Sequence, residues 1–320
     1  MAQGLEFEHR TFPIGAFSER EMVETFTDGL SAEEVSIDEL MQDWRAKARA
    51  FEAMAPPRLE VLNSDLLPLS VKEETMRRVN SVLASYRYFI PPTFDLAFVP
   101  ISKLITPQKS LSRDQLSRSL SDARGPLSDD ENALLCLGTP LPPATIDSIY
   151  LGSPKSIVQN RFEYNYQFLS DDPNVRFIPP LPFKPVRDIN LAVEGAPFPY
   201  DAKVVPIAVG LGLPLVQVIK IPTGVDPQTK TATYKLVLGN GIHRAARLAQ
   251  LGNTHIAALV QFLRFEELPN PFIDGPKEQL LVPKPLTMPL LSDGTVSRSL
   301  RWKKVRRTVK LHISVSYEVY

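Results

Sequence analysis

The most regular hydrophobic pattern of the chain lies at its C-terminal end. From Val309 to Val319, in the stretch VKLHISVSYEV, apolar and polar side chains alternate without interruption. Successive side chains of a β-strand point to opposite faces of a sheet, so strict alternation is typical of a strand with one buried face. The pattern therefore predicts a half-buried strand here.

Residues 1–88 show helical periodicity instead. Ser31-Ala32-Glu33-Glu34 has the composition of a capped helix start, and Pro56-Pro57 would end that helix. A second helix is predicted over residues 72–88. The apolar residues that share a helical face, which we interpret as core, are Ile37, Leu40, Met41, Trp44 and Ala48 in the first helix and Met76, Val79, Val82 and Leu83 in the second.

Strand and helix patterns alternate between residues 175 and 268. The predicted elements are a strand at 186–193, a short helix at 200–209, a strand at 215–221, a hairpin loop at 223–227, a return strand at 231–238, a helix at 242–251 that Gly252 ends, and a strand at 255–262. The sequence thus predicts an α+β protein in four consecutive segments. These are a helical N-terminal region (1–88), a proline-punctuated connecting region (89–174), a mixed α/β module (175–268) and a basic C-terminal extension ending in a strand (269–320).

Composition limits the classes of function. The 320 residues carry 36 basic and 36 acidic side chains, so no global field attracts the molecule to nucleic acid or to a membrane. Cys136 is the only cysteine, which excludes an internal disulfide and a multi-cysteine zinc site. Because its neighbours are apolar, we expect a buried, unreactive thiol.

Nothing in the sequence indicates a membrane segment or a metal site. The most apolar run, Val204 to Val218, is too short to span a bilayer and is interrupted by prolines. We therefore expect a cytoplasmic protein with no membrane partner. The spacing of His9, His255 and His312 does not suggest a metal site, and no bound metal is predicted.

A short glycine-containing stretch, LGNGIHRAAR, holds the main candidate site. Gly239, Asn240 and Gly241 leave a predicted strand and enter a predicted helix, and His243 and Arg244 fall in the first helical turn. That turn has free N–H groups and a partial positive charge, which suit an anion. Two interpretations remain open: a phosphate-binding turn, or a capped turn with a satisfied histidine and an exposed arginine.

The order of elements around this stretch resembles that of the ParB/sulfiredoxin-like superfamily. The matching segments are YDAKV (200–204), LPLVQVIKI (213–221) and YKLVLGNGIHRAARLAQLGNTHIAALVQ (234–261). The resemblance implies a phosphate site formed by the turn residues together with Lys203. The residues it assigns to phosphate binding are Gly239, Asn240, Gly241, His243, Arg244 and Lys203. It also implies ATP or CTP with Mg as cofactors.

The stretch departs from the family at the catalytic position. Sulfiredoxins carry a cysteine immediately before the His-Arg pair, and Ile242 stands there in this chain, so repair of sulfinic acid by that route is excluded. ParB proteins have an acidic residue and two arginines at this place, and this chain does not. The remaining candidates for catalysis are Asp201, Glu194 and His243, which would support weak nuclease or nucleotide-hydrolysing activity.

A second candidate site is the basic stretch RSLRWKKVRR, residues 298–307. Cations neutralise phosphates and an indole can stack on a base, so this stretch is a candidate nucleic-acid interface. The residues assigned to it are Arg301, Trp302, Lys303, Lys304, Arg306 and Arg307. In the alternative, these cations form the solvated face of a strand or pair with the acidic N-terminal helices.

Two functional hypotheses follow from the sequence. In the first, the protein binds a nucleotide or DNA through its phosphates. In the second, it is a non-catalytic structural or partner-binding protein with a degenerate ParB-like module and a protein partner at the N-terminal helical region. The identity of Ile242 favours the second, and the His-Arg pair favours the first.

Overall fold

A computed structural model describes most of the chain. The described residues are 7–27, 35–87, 90–112, 124–139, 147–150, 155–158, 161–170, 175–178, 208–211, 215–270, 272, 275–303 and 307–316. They contain both helices and strands arranged in mixed sheets, so the predicted α+β class is confirmed.

Six α-helices lie in the described part of the chain. They are α1 (Glu19–Thr27), α2 (Ile37–Ala53), α3 (Glu73–Ser85), α4 (Asp129–Ala133), α5 (Ile242–Gln250) and α6 (Met288–Ser292). Helix α2 begins later than the predicted start, because the Ser36 hydroxyl accepts a hydrogen bond from Glu39 N and caps it there. Residues 31–34 lie outside the described residues. Helix α4 continues into a π-helical turn at Leu134–Gly138.

The described strands are distributed over four sheets. They are β1 (Phe7–Phe12), β2 (Leu67–Pro68), β3 (Asp95–Pro100), β4 (Leu104–Ile105), β5 (Leu111–Ser112), β6 (Asp147–Tyr150), β7 (Lys155–Val158), β8 (Arg161–Ser170), β9 (Val175–Ile178), β10 (Ala208–Leu211), β11 (Gln217–Val225), β12 (Ala232–Asn240), β13 (His255–Phe262), β14 (Arg298–Lys303) and β15 (Arg307–Ser316). The predicted strand at 186–193 lies outside the described residues, as do residues 200–207 of the predicted short helix. Residues 208 and 209 are in strand β10, so the helix prediction is wrong for them.

The largest sheet has six strands in the order β2-β3-β13-β11-β12-β4. Strand β11 is antiparallel to β12 and parallel to β13, and α5 forms the crossover between β12 and β13. Leu236, Val237 and Leu238 are consecutive and all buried, so both faces of β12 are covered. One of the hydrophobic clusters that involve this sheet consists of Leu59, Ile105, Ile219, Ile221, Val237, Leu268, Phe272 and Leu280.

The hairpin of β11 and β12 is longer than predicted. Strand β11 continues to Val225, and the turn occupies residues 226–230 instead of 223–227. A register shift between Pro222 and Gly224 absorbs the proline without ending the strand.

A side chain completes the ladder of β13. On the β11 side, only residues 259–262 have a strand partner. Nearer the start of β13, the buried Asn132 side-chain amide replaces a strand partner. Its Oδ1 accepts a hydrogen bond from Ala257 N at 3.1 Å, and its Nδ2 donates one to His255 O at 2.9 Å. Asn132 therefore fixes α4 against β13 and satisfies two strand groups.

A second core lies against a three-stranded sheet of order β14-β1-β5. It brings together helices α1 and α2 with apolar residues from β1 and β14. Its buried members are Phe12, Ile14, Phe17, Met22, Phe26, Leu40 and Leu300. Strand β1 lies within the region predicted to be helical, and it forms because its partner β14 is supplied from the other end of the sequence.

Contacts divide the chain into two units, each made of separate stretches. The first unit comprises residues 1–85, 92–140 and 214–304, and the second comprises 86–91, 141–213 and 305–320. This division differs from the four consecutive segments expected from sequence, because strand pairing joins distant stretches.

In the second unit, β15 pairs along its whole length with β8, and β6 and β7 also pair with β8. Strand β15 confirms a strand over residues 309–316 of the C-terminal alternation, and residues 317–319 lie outside the described residues.

No helix in the described ranges is long and apolar enough to cross a membrane.

Replacing Asn132 by alanine should lower the free energy of unfolding by about 2–4 kcal/mol, because it leaves Ala257 N and His255 O buried without partners. Urea denaturation followed by circular dichroism measures this change. Asn80→Ala, at an exposed position of α3, is the control and should change stability by less than about 0.5 kcal/mol. Equal effects of the two substitutions would contradict a role for the Asn132 amide in the β13 ladder.

Candidate functional site

The glycine-containing turn joins β12 to α5 through a backbone that needs glycine at one position. Gly241 caps α5 in the left-handed region, with φ 101° and ψ 21°. A Cβ atom at this position would lie 2.7 Å from Val216 Cγ2. Both conditions exclude a side chain, so the turn packs directly on the segment that leads into β11.

Asn240 ties the same turn to that segment. Its Nδ2 donates to Leu215 O at 2.8 Å, and it pairs with Gln217 in the ladder between β12 and β11. Leu215 and Val216 are fully buried. The N-terminal end of α5 is therefore held in a fixed position against the start of β11.

Arg244 is half-buried in the first turn of α5, whereas the capped-turn interpretation expected it to be exposed. Its Nη1 donates to Cys136 O at 3.3 Å. Burial lowers the pKa of its guanidinium, which nevertheless keeps its charge because arginine stays protonated in proteins. A partly desolvated cation thus lies beside the positive end of the helix.

His243 is half-buried beside Arg244 and points its Nε2 at strand β5. Nε2 accepts a hydrogen bond from Ser112 N at 3.1 Å. Burial, together with the charges of Arg10 and Arg244, lowers the pKa of His243 to about 4, against the opposing effect of Glu8. The imidazole is therefore neutral at pH 7.

Behind His243 lies a polar network that the sequence did not reveal. Glu8 is only 5% exposed. Its Oε1 accepts from Arg10 Nε at 2.6 Å, and its Oε2 accepts from the Ser112 hydroxyl at 2.7 Å. Glu8, Ser112 and His243 are each separated by more than 100 residues, so no local spacing could have indicated that they meet.

Ile242 and Cys136 are both buried. Ile242, which the resemblance places where sulfiredoxins have their cysteine, is 3% exposed. Cys136 is fully buried, and burial raises the pKa of its thiol to about 12. Cys136 is thus an unreactive thiol, as predicted.

Three of the sequence-predicted site residues, Lys203, Asp201 and Glu194, lie outside the described residues. Within the described ranges, no three His, Cys, Asp or Glu side chains are grouped so that they could hold a metal ion. Of the residues predicted to bind phosphate, the structure describes Gly239, Asn240, Gly241, His243 and Arg244.

The basic stretch is divided between two strands, and several of its side chains have internal partners. Arg298 pairs with Glu39 at 3.1 Å and with Asp43 at 3.0 Å, both on α2. For this cation, the alternative of pairing with an acidic N-terminal helix is correct. Lys303 ends β14, Arg307 begins β15, and residues 304–306 lie outside the described residues.

The aromatic and the next arginine of the stretch also contact the protein itself. The Trp302 ring lies 4.9 Å from that of Phe12 and 5.6 Å from that of Phe26. The Arg301 guanidinium lies 4.6 Å from the centre of the Phe7 ring. Trp302 is half-buried and packs against the second core, and its predicted use as a stacking surface for a base stays a prediction.

No family model, curated protein or solved structure matches this chain. The ParB/sulfiredoxin-like assignment accordingly stays a prediction that rests on the quoted residues.

Gly241→Ala should lower the free energy of unfolding by about 2–3 kcal/mol, because the left-handed backbone and the Val216 side chain both oppose a Cβ. Gly239→Ala is the matched control. The nearest atom to a Cβ there is Gln217 O at 3.6 Å, which is ordinary contact, so we expect a change below about 1 kcal/mol. Chemical denaturation measures both variants. A milder effect at position 241 than at 239 would contradict the described turn.

The free energy of unfolding should fall as the pH drops from about 6.5 to about 4, because unfolded His243 takes up a proton there and the folded histidine resists it. Below pH 4, this contribution no longer changes. Comparing His243→Asn with the wild type at several pH values isolates it from the carboxylates: the stability advantage of the wild type should shrink over this window. Asn80→Ala, at an exposed position of α3, provides the control: it removes no titratable group, so its difference from the wild type should not change with pH. If the difference in the free energy of unfolding between the wild type and His243→Asn stays constant from pH 7 to 4, a neutral, desolvated His243 is contradicted.

Proposed function

We propose that this protein binds a phosphate-bearing ligand, a nucleotide or a nucleic acid, at the first turn of α5 and does not perform catalysis with the residues described there. The observation that carries the proposal is the position of Arg244 and His243. A partly desolvated guanidinium and a neutral imidazole both lie in the first turn of a helix that a left-handed glycine begins.

The electrostatics of this turn favour an anion. The N-terminus of a helix carries about half a positive charge, and its first N–H groups point away from the helix. Arg244 adds a full charge in surroundings where water screens it less. The nearest carboxylate of the described network, that of Glu8, is already engaged by Arg10 and Ser112. The helix N-terminus and the Arg244 guanidinium therefore both favour an incoming phosphate.

His243 is poorly suited to act as a general base. A base that is effective at neutral pH needs a pKa near 7, whereas burial holds the pKa of His243 at about 4. Its Nε2 lone pair also already accepts a hydrogen bond from Ser112 N. These two features support binding without nuclease or nucleotide-hydrolysing activity from this residue.

The second candidate function, a partner-binding protein with a degenerate module, is favoured by a different observation. Arg244 and His243 each bond to a main-chain group of another segment, at Cys136 and at Ser112, and so serve the fold itself. Ile37 on α2 is 48% exposed and Val23 on α1 is 50% exposed, which gives the N-terminal helices apolar surface for a protein partner.

Calorimetric titration with ATP, CTP and a short DNA duplex distinguishes the two candidates. We expect the wild type to bind at least one of them and Arg244→Ala to bind it at least tenfold more weakly, because a charged hydrogen bond contributes about 1.5–3 kcal/mol. Arg244→Lys keeps the charge without the planar fork and should lose affinity to a lesser degree.

The control is Arg264→Ala, since Arg264 is exposed and lies away from this turn in the sequence. It should bind like the wild type. Circular dichroism of each variant shows whether it is folded. If the wild type binds none of the three ligands, or folded Arg244→Lys and Arg244→Ala both match its affinity, phosphate binding at this turn is wrong and the partner-binding function is favoured.

A further inference from the structure

The two ring nitrogens of His243 have different surroundings. Nε2 accepts the hydrogen bond of Ser112 N, so it carries no proton in the neutral ring. The proton of the neutral imidazole is therefore on Nδ1, which becomes a hydrogen-bond donor. In the described part of the chain, no protein atom accepts a hydrogen bond from Nδ1.

The Nδ1 donor belongs to the same small region as the helix terminus. Nδ1 is bonded to Cγ and so lies closer to the main chain of His243 than Nε2 does. That main chain forms the first turn of α5, where the first intrahelical bond runs from Ala245 N to Gly241 O. The Nδ1 donor and the N–H groups that precede Ala245 thus all belong to the first turn of α5.

Residues of the three-stranded sheet determine which ring nitrogen of His243 carries the proton. The Ser112 hydroxyl donates to Glu8 Oε2 at 2.7 Å, which fixes Ser112 and with it the N–H that points at Nε2. Glu8 is in turn held by Arg10 through Oε1 at 2.6 Å. Glu8 and Ser112 are both buried, so this chain of contacts is shielded from water.

We propose that Ser112 and Glu8 are positioning residues which hold His243 as a neutral Nδ1–H donor, so that the first turn of α5 recognises the fully ionised form of a phosphate group. The proposal rests on the proposed function and adds to it the tautomer, the residues that set it and the charge state of the ligand. Ser112 and Glu8 lie outside the segment that resembles ParB and sulfiredoxin.

A neutral His243 gives the binding of a phosphate monoester a characteristic pH dependence. The charged groups that face the imidazole are Glu8 and Arg10 from β1 and Arg244 from its own helix, and β5 contributes only the uncharged Ser112. Because the ring stays neutral from pH 5.5 to 7.5, the ligand alone titrates over this range. A phosphate monoester loses its second proton near pH 6, so its affinity should rise with pH. A site that required protonated histidine would lose affinity instead.

The first experiment is nuclear magnetic resonance on the full chain with ¹⁵N-labelled histidine. We expect His243 to show the Nδ1–H tautomer from pH 5.5 to 7.5. Ser112→Ala should produce a mixture of tautomers, because it removes the hydroxyl that holds Ser112 to Glu8, and Ser112→Thr should restore the single form. Ser299→Ala, on β14 of the same sheet, is the control and should leave His243 unchanged. An Nε2–H tautomer in the wild type overturns the proposal.

The second experiment compares two substitutions, each of which can replace the hydrogen bond of only one ring nitrogen of His243. His243→Asn places an amide donor near Nδ1, and His243→Gln places its amide near Nε2. With AMP and CMP as probes at pH 7.5, we expect His243→Asn to bind within about threefold of the wild type and His243→Gln to lose about tenfold, the equivalent of one hydrogen bond. The reverse order overturns the assignment of Nδ1 as the ligand donor.

The pH profile and the ligand series separate this proposal from the proposed function. Wild-type affinity for AMP or CMP should increase about fourfold from pH 5.5 to 7.5, as the fraction of dianion rises, whereas a short DNA duplex, whose internal phosphates are diesters, should show no such increase. Binding that is present but falls with pH overturns the neutral-donor proposal and leaves phosphate binding intact. The absence of all binding overturns phosphate recognition, while the resonance experiment still decides whether Ser112 and Glu8 set the tautomer.

Discussion

The main-chain carbonyl of Cys136 is the point on which the candidate site depends. It accepts a hydrogen bond from Val216 N at 2.9 Å and one from Arg244 Nη1 at 3.3 Å. The first bond fixes the entry into β11, and the second fixes the start of α5. Because Gly241 packs on Val216 without a side chain, the two bonds also set the spacing between these segments. The cysteine thus contributes through its backbone, while its thiol stays buried and protonated.

Where local pattern determined the structure, the sequence predicted it well. The strand His255–Phe262 has the predicted bounds, and α5 differs from its prediction by one residue at its C-terminal end. Both carry their signal within a few residues, as apolar runs bounded by glycine or polar positions. Strand β1 carries no comparable signal. Its stability comes from β14, almost 300 residues away, and from the helices that cover Phe12.

In the candidate site too, the sequence predicted local features but not the contacts between distant side chains. The sequence located the glycine turn, the His-Arg pair and Ile242 within a few consecutive residues. It could not show that His243 meets Ser112, or that Glu8 lies buried behind them, because those contacts are made by β1 and β5. Nor could it show that the Trp302 indole packs against Phe12 and Phe26.

The amide of Asn132 has a consequence for hydrogen exchange along β13. On the β11 side, residues 255–258 of this strand have no strand partner among the described residues, and the Asn132 side chain of α4 accepts the hydrogen bond of Ala257 N. The N–H of Leu259, in the same strand, bonds instead to Val216 O at 2.9 Å. Local opening of α4 therefore exposes the Ala257 amide to exchange with solvent and leaves the hydrogen bond of Leu259 in place.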